Sequence, residues 1–124
     1  MMKGNELPNE STISKMRDML AIASDMTRLK IMLCLLDENK CVCGKENVHM
    51  NCGYCQKRDC MIEKCVSELV VEIGASQSLI SHQLKVLKDF DLVATRREKT
   101  KIYYSLKDGH VKQLLSVALE HAEE

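Results

Sequence analysis

This 124-residue sequence predicts a mainly α-helical domain closed by one β-hairpin. Three observations carry that expectation. Apolar residues recur at helical spacing along most of the chain, two short helical stretches flank a glycine-containing turn, and a pair of alternating, β-branched segments follows them. The length suits a single domain, too short to divide into two independent cores. Apolar residues make up 45%, with no Trp, one Phe and eight Met, so the core is expected to be aliphatic.

Residues 1–12 are polar, contain the single Pro and read as a tail. Helical spacing begins at Ile13, and Ser24-Asp25 supplies two good N-cap residues, which predicts one helix to about Ala23 and a second from about Met26 to Leu36. Composition then changes: residues 37–64 hold five of the seven cysteines and few aliphatics, as in an inserted loop or small knuckle. Val66, Leu69, Val70 and Ile73 mark a short helix that stops at Gly74. Ser76 caps the next, which is expected to bury Leu79, Ile80, Leu84 and Leu87 and to run to about Asp89. Two short helices about such a turn form a helix-turn-helix pattern. Leu92 to Arg97 and Ile102 to Leu106 alternate as strands around the link Glu98-Lys99-Thr100, whose turn type the sequence leaves open. Hairpin after helix-turn-helix is a winged helix. Asp108 opens a last helix with the apolar stripe Val111, Leu114, Leu115 and Ala118. The expected domains are therefore a winged helix-turn-helix over 13–107 with a Cys-rich insertion at 41–65, and a C-terminal helix over 108–124 that dimerises and holds metal.

Net charge is zero, but its distribution is uneven. Between Ser76 and Lys101 six basic residues face three acidic ones, whereas residues 102–124 carry two basic and four acidic. One surface suits phosphate and another suits a cation. Ser76, Gln77, Ser78, Ser81, His82, Gln83 and Lys85 crowd the polar side of the second helix of the pair. Small hydroxyls permit close approach to a major groove, and Gln pairs bidentately with adenine. On the wing, Arg96, Arg97, Lys99 and Lys101 are candidates for phosphate contact. A solvated polar helix face fits the helix alone; the basic hairpin after it favours double-stranded DNA as the partner.

The run Ser76-Gln77-Ser78-Leu79-Ile80-Ser81-His82-Gln83-Leu84-Lys85-Val86-Leu87, then Leu92-Val93, Arg96-Arg97-Glu98 and Tyr103-Tyr104-Ser105-Leu106, resembles the ArsR/SmtB family of metal-sensing repressors. Thr27-Arg28-Leu29-Lys30-Ile31 resembles the same family upstream, so the likeness covers most of the chain outside the tail and residues 42–64. The resemblance implies a homodimeric winged helix-turn-helix whose first and last helices form the dimer interface. It further implies a repressor that binds operator DNA as an apo dimer and leaves it on binding metal.

Two groups of residues could hold that metal. On the last helix, His110 and His121 lie eleven residues apart, on one face but about 16 Å apart along the axis. Two antiparallel copies about a two-fold axis would bring Asp108 and His110 of one chain to His121 and Glu124 of the other. Two imidazoles and two carboxylates suit tetrahedral zinc, with cobalt, nickel and cadmium as alternatives. Spacing alone also fits ordinary polar residues on an acidic helix end. The resemblance favours metal, because it implies an Asp-x-His and a His-x-x-Glu at these places in zinc sensors. The second group is Cys41, Cys43, Cys52, Cys55, Cys60 and Cys65, of which the first four are spaced as a tetrathiolate zinc knuckle. The family's Cys-Val-Cys is split here between Cys41-Val42-Cys43 and Cys65-Val66-Ser67, a departure that leaves the family's thiolate sensor site in doubt. Cys34, in an apolar helix, is expected in the core.

Two other functions remain open at this point: soft-metal (cadmium or lead) or thiol-redox sensing through the Cys-rich insertion, and metal buffering with a helix-turn-helix that is only structural. No enzyme signature is present: no nucleophile elbow, phosphate loop or open three-ligand zinc motif. The longest apolar run, Ile31 to Leu36, is too short for a bilayer, and no basic-then-apolar leader is visible, so a cytoplasmic protein without a membrane partner is expected.

Overall fold

The computed structural model describes residues 6–36 and 62–124. Seven elements follow in order: α1 (Glu10–Ala23), α2 (Met26–Cys34), α3 (Val66–Ile73), α4 (Gln77–Asp89), β1 (Val93–Glu98), β2 (Lys101–Leu106) and α5 (Gly109–Ala122). Four of the five described helices start where the N-cap side chain accepts from a free N–H group. Asn9 Oδ1 accepts from the Thr12 N–H at 2.8 Å, which starts α1 three residues before the apolar spacing suggests. Asp25 accepts from the Arg28 N–H at 3.1 Å and opens α2, while Ser24 closes α1 through its own hydroxyl on the Ala21 carbonyl at 2.7 Å. Ser76 caps α4 through the Leu79 N–H.

Between α3 and α4 the chain reverses at Gly74, whose φ of 78° is left-handed and closes α3 with a Gly74 N–H bond to the Val70 carbonyl. A side chain there would be strained, so glycine is the physical reason for the turn. The two helices pack through one aliphatic core that includes Ile31, Met32, Leu35, Leu69, Ile80, Leu84, Leu87, Leu106 and Leu115. Leu79, expected inside, remains 39% exposed. It stands one residue from Ile80, about 100° around the helix, and the buried arc of α4 is narrower than that.

β1 and β2 pair antiparallel from Val93↔Leu106 to Glu98↔Lys101. The turn is therefore the two residues Lys99 and Thr100, with Lys99 at a φ of 58°. A lysine holds a position where hairpins favour glycine. The sheet gains a third participant that the pattern of the sequence does not announce. Lys64 exchanges two backbone bonds with Tyr104, at 3.0 and 2.8 Å, so the segment entering α3 lies beside β2. After β2, the Lys107 N–H bonds the Leu92 carbonyl at 3.0 Å and α5 starts from Asp108.

Candidate nucleic-acid interface and metal centres

On α4 the inward residues Ile80, Leu84 and Leu87 leave Gln77, Ser78, Ser81, His82 and Lys85 exposed, with Ser76 at the cap. Lys85 pairs with Asp89 at 3.4 Å, a solvent-exposed contact of little energetic weight. Gln83 differs from these neighbours. It is half-buried, and its Oε1 accepts from Arg28 Nη1 at 2.6 Å, so it faces α2 and not the outward arc.

The wing divides in the same way. Arg97, Lys99 and Lys101 are exposed and have no ion pair among the described residues. Arg96 is engaged: Nε lies 2.9 and 3.0 Å from the two Glu63 carboxylate oxygens, Nη1 is 2.8 Å from Glu98, and the guanidinium stands 5.0 Å from the Tyr103 ring centre. The bonds to Glu63 and then Glu98 raise its pKa further above the ordinary arginine value. Its charge is thus already balanced where a phosphate would compete for it. Between the start of α3, the start of α4 and β2 lies an open cleft of about 430 Å³ that Ser67, Gln77, Ser81, Thr100 and Lys101 line.

On α5 the expected stripe splits in two. Leu115 turns into the chain's own core together with Lys112 and Ser116, whereas Leu114 and Val117 are 40% and 53% exposed. Helical spacing of four, three and four residues places His110, Leu114, Val117 and His121 along one outward line, and all four are exposed. The histidines thus bracket an exposed apolar pair. Asp108 does two things. Its Oδ1 caps the helix, accepting from the His110 and Val111 N–H groups at 2.9 and 3.2 Å, and lies 3.7 Å from His110 Nδ1. At the other end His121 Nδ1 lies 4.0 Å from a Glu124 oxygen. Each end of α5 therefore presents one imidazole beside one carboxylate, a donor set that fits zinc. Among the described residues no group of three such donors gathers within the chain.

Cys41, Cys43, Cys52, Cys55 and Cys60 lie outside the described residues. Cys65 is buried at the N-cap of α3, where its N–H donates to Glu68 at 2.9 Å and its Sγ sits 3.2 Å from Ser67 Oγ. Cys34 is half-buried; burial first, then a hydrogen bond to Glu72, pushes its thiol up from the ordinary value. Glu72 also holds Lys64 Nζ at 2.7 Å. That environment disfavours the thiolate and fits a packing role. Sequence reasoning missed the roles of Arg28 and Glu63. Arg28 lay inside a matched motif, but nothing local announces a bond to a residue 55 positions away.

A helix pair about a left-handed glycine, followed by a basic two-stranded hairpin, defines the winged helix-turn-helix class. Comparison with known proteins narrows this. Residues 62–95 match the family described as bacterial regulatory protein, arsR family. The HTH-type transcriptional regulator NmtR of Mycobacterium tuberculosis is 48% identical over 58 residues, covering 47% of this chain and 48% of that protein. A cadmium resistance transcriptional regulatory protein CadC homolog of Staphylococcus aureus is 40% identical over 62 residues, 50% of this chain and 51% of that one. The chain spans about half the length of these curated relatives. Among solved structures, the homodimeric winged helix-turn-helix domain of Mb0332 from Mycobacterium bovis superposes with a TM-score of 0.69 at 20% identity, over 99% of this chain and 92% of that one. The arsR-family match thus falls on α3, α4 and the start of β1 of a winged-helix fold, and the relatives named are regulators of transcription.

Proposed function

We propose that this protein is a metal-responsive transcriptional repressor, a homodimer that binds operator DNA without metal and releases it when zinc bridges the two C-terminal helices. The carrying observation is the outward line His110, Leu114, Val117, His121 on α5, with a carboxylate beside each histidine. Two such faces packed antiparallel cover their apolar centres and bring Asp108 and His110 of each chain to His121 and Glu124 of the other. The exposed apolar residues Leu7, Met16 and Leu20 at α1 support a second part of the same interface. The names of the relatives support regulation of transcription, and one of them names cadmium resistance. Zinc is favoured by the mixed nitrogen and oxygen donors; cobalt, nickel and cadmium are the alternatives to be compared. Among the described residues no helix is long and apolar enough to cross a membrane. Operator binding by the full chain at fixed salt, with and without each metal, tests the reading. Binding that no metal weakens would overturn it.

The DNA contacts sort by role. Gln77, Ser78, Ser81 and His82 face base edges, while Arg97, Lys99 and Lys101 meet phosphate. Lys99→Ala is expected to weaken binding to every sequence and to lower the salt slope by about one. Arg96→Ala should change that slope much less, because Glu63 and Glu98 already hold its charge. Equal slopes for the two variants, measured by titration at several salt concentrations, would contradict the division.

The Cys-rich insertion is assigned an ordering role, with one ion in a tetrathiolate shell at Cys41, Cys43, Cys52 and Cys55, and with Cys60 and Cys65 left over. A closed four-thiolate shell has no open position for exchange. Purified protein should hold more than one zinc per chain, and replacing Cys52 and Cys55 with Ser should lose one ion while zinc still releases DNA. Loss of the response would transfer sensing to the insertion.

A further inference from the structure

Arg28 joins two elements that the proposed function assigns to different tasks. Its Nε donates to the Ile22 carbonyl at 2.7 Å, and its Nη1 donates to Gln83 Oε1 at 2.6 Å. Ile22 lies in the last turn of α1, where carbonyls have no partner within the helix, so the guanidinium supplies the missing donor. Gln83 lies in the middle of α4, next to the outward His82 and Ser81. Both bonds are partly buried and charge-assisted, and the planar fork makes them in one fixed geometry. Arg28 itself stands in the first turn of α2, anchored where Asp25 accepts its N–H.

We infer that Arg28 is a positioning residue that fixes the angle of the reading helix α4 on the end of α1. This rests on the repressor reading, in which α1 seats against the partner copy and α4 enters the groove. The shared core holds α4 near α1, and this side chain adds the polar link that fixes their angle, so a shift of α1 is passed to α4 through Arg28 as well as through packing. Gln83 acts here by holding Arg28, not by reading a base.

The test uses full-length protein and a duplex selected by the wild type from a random pool. Arg28→Gln and Gln83→Ala are each expected to weaken metal-free binding about tenfold, the scale of one charge-assisted hydrogen bond. The double variant should bind no worse than the weaker single one, because both changes remove the same link. Preference across operators with single base-pair changes should stay as in the wild type. Gln83→Glu keeps the acceptor for Arg28 and should stay within about twofold of the wild type, whereas a base-reading glutamine would lose its amide donor. Sedimentation should show dimers throughout. Losses that multiply in the double variant, a preference altered at one base step by Gln83→Ala, or Gln83→Glu as weak as Gln83→Ala would each overturn the inference. Should Arg28→Gln melt early, Arg28→Lys takes its place, since it keeps the charge but reaches only one of the two acceptors. A wild type that selects no duplex would remove the repressor reading itself, a failure distinct from any in the variants.

Discussion

Combining Leu20→Glu with Val117→Glu is expected to leave a folded monomer whose operator binding is weaker by about a hundred- to ten-thousandfold. The size follows from linkage of half-sites. When one chain of a dimer is bound, its partner meets the second half-site at an effective concentration that a monomer does not have, and losing this costs on that order. The two positions are chosen because the fold of the chain does not use them. Leu20 is 47% and Val117 53% exposed, and neither belongs to the buried cluster around Leu69, Ile80 and Leu84. Carboxylates there remain solvated in the monomer but would be desolvated and set near like charges in an α1–α5 interface. Sedimentation should show a monomer, thermal melting a cooperative transition, and metal analysis the loss of the helix-end zinc while the ion of the Cys-rich insertion is kept. A double variant that remains a dimer would remove α1 and α5 from the interface, and with them the shared metal site.

What the sequence disclosed and what it withheld follow a physical line. Signals within one turn of a helix were legible: the Ser76 cap, the stop at Gly74 and the start of α2 after Ser24-Asp25 all stand as expected. Period alone could not say which neighbour each apolar residue of α5 meets. A helix with its own core on one side and free apolar residues on the other carries Leu114 and Leu115 next to each other, and only packing assigns Leu115 inward. The same ambiguity counts Leu79 among the buried residues of α4, although it is exposed. Long-range polar pairs were invisible, because Arg96 with Glu63 and Arg28 with Gln83 depend on the folded chain and leave no local pattern. These pairs change the candidate interface. Of the basic and amide residues that composition places on DNA, Arg96 and Gln83 are engaged within the protein, while Gln77, Arg97, Lys99 and Lys101 remain exposed.

Replacing His121 with Ala should leave folding and metal-free operator affinity nearly unchanged and remove most of the zinc-driven release. His121 is 86% exposed in the chain and its neighbour within 4.0 Å is the Glu124 carboxylate, so the substitution opens no cavity and strips no core contact. Release depends on the difference in zinc affinity between two dimer geometries, and a coupling of about 1–3 kcal/mol, roughly 5- to 150-fold in DNA affinity, is typical. Removing one of four donors reduces that difference, giving a repressor that stays on its operator. His110→Ala should do the same from the other end of α5. In the proposed arrangement each shell draws one imidazole from each chain, so either substitution should damage both sites of a homodimer. Mixing the two variant chains separates this arrangement from one within a chain. In the heterodimer one site lacks both histidines, whereas the other keeps His110 from one chain and His121 from its partner. One zinc site per heterodimer should therefore return, and part of the release with it. If heterodimers form and bind no zinc at the helix ends, the shared site is wrong. If they bind zinc yet hold DNA as tightly as before, the two ions act together, and release needs both ends of the paired helices filled.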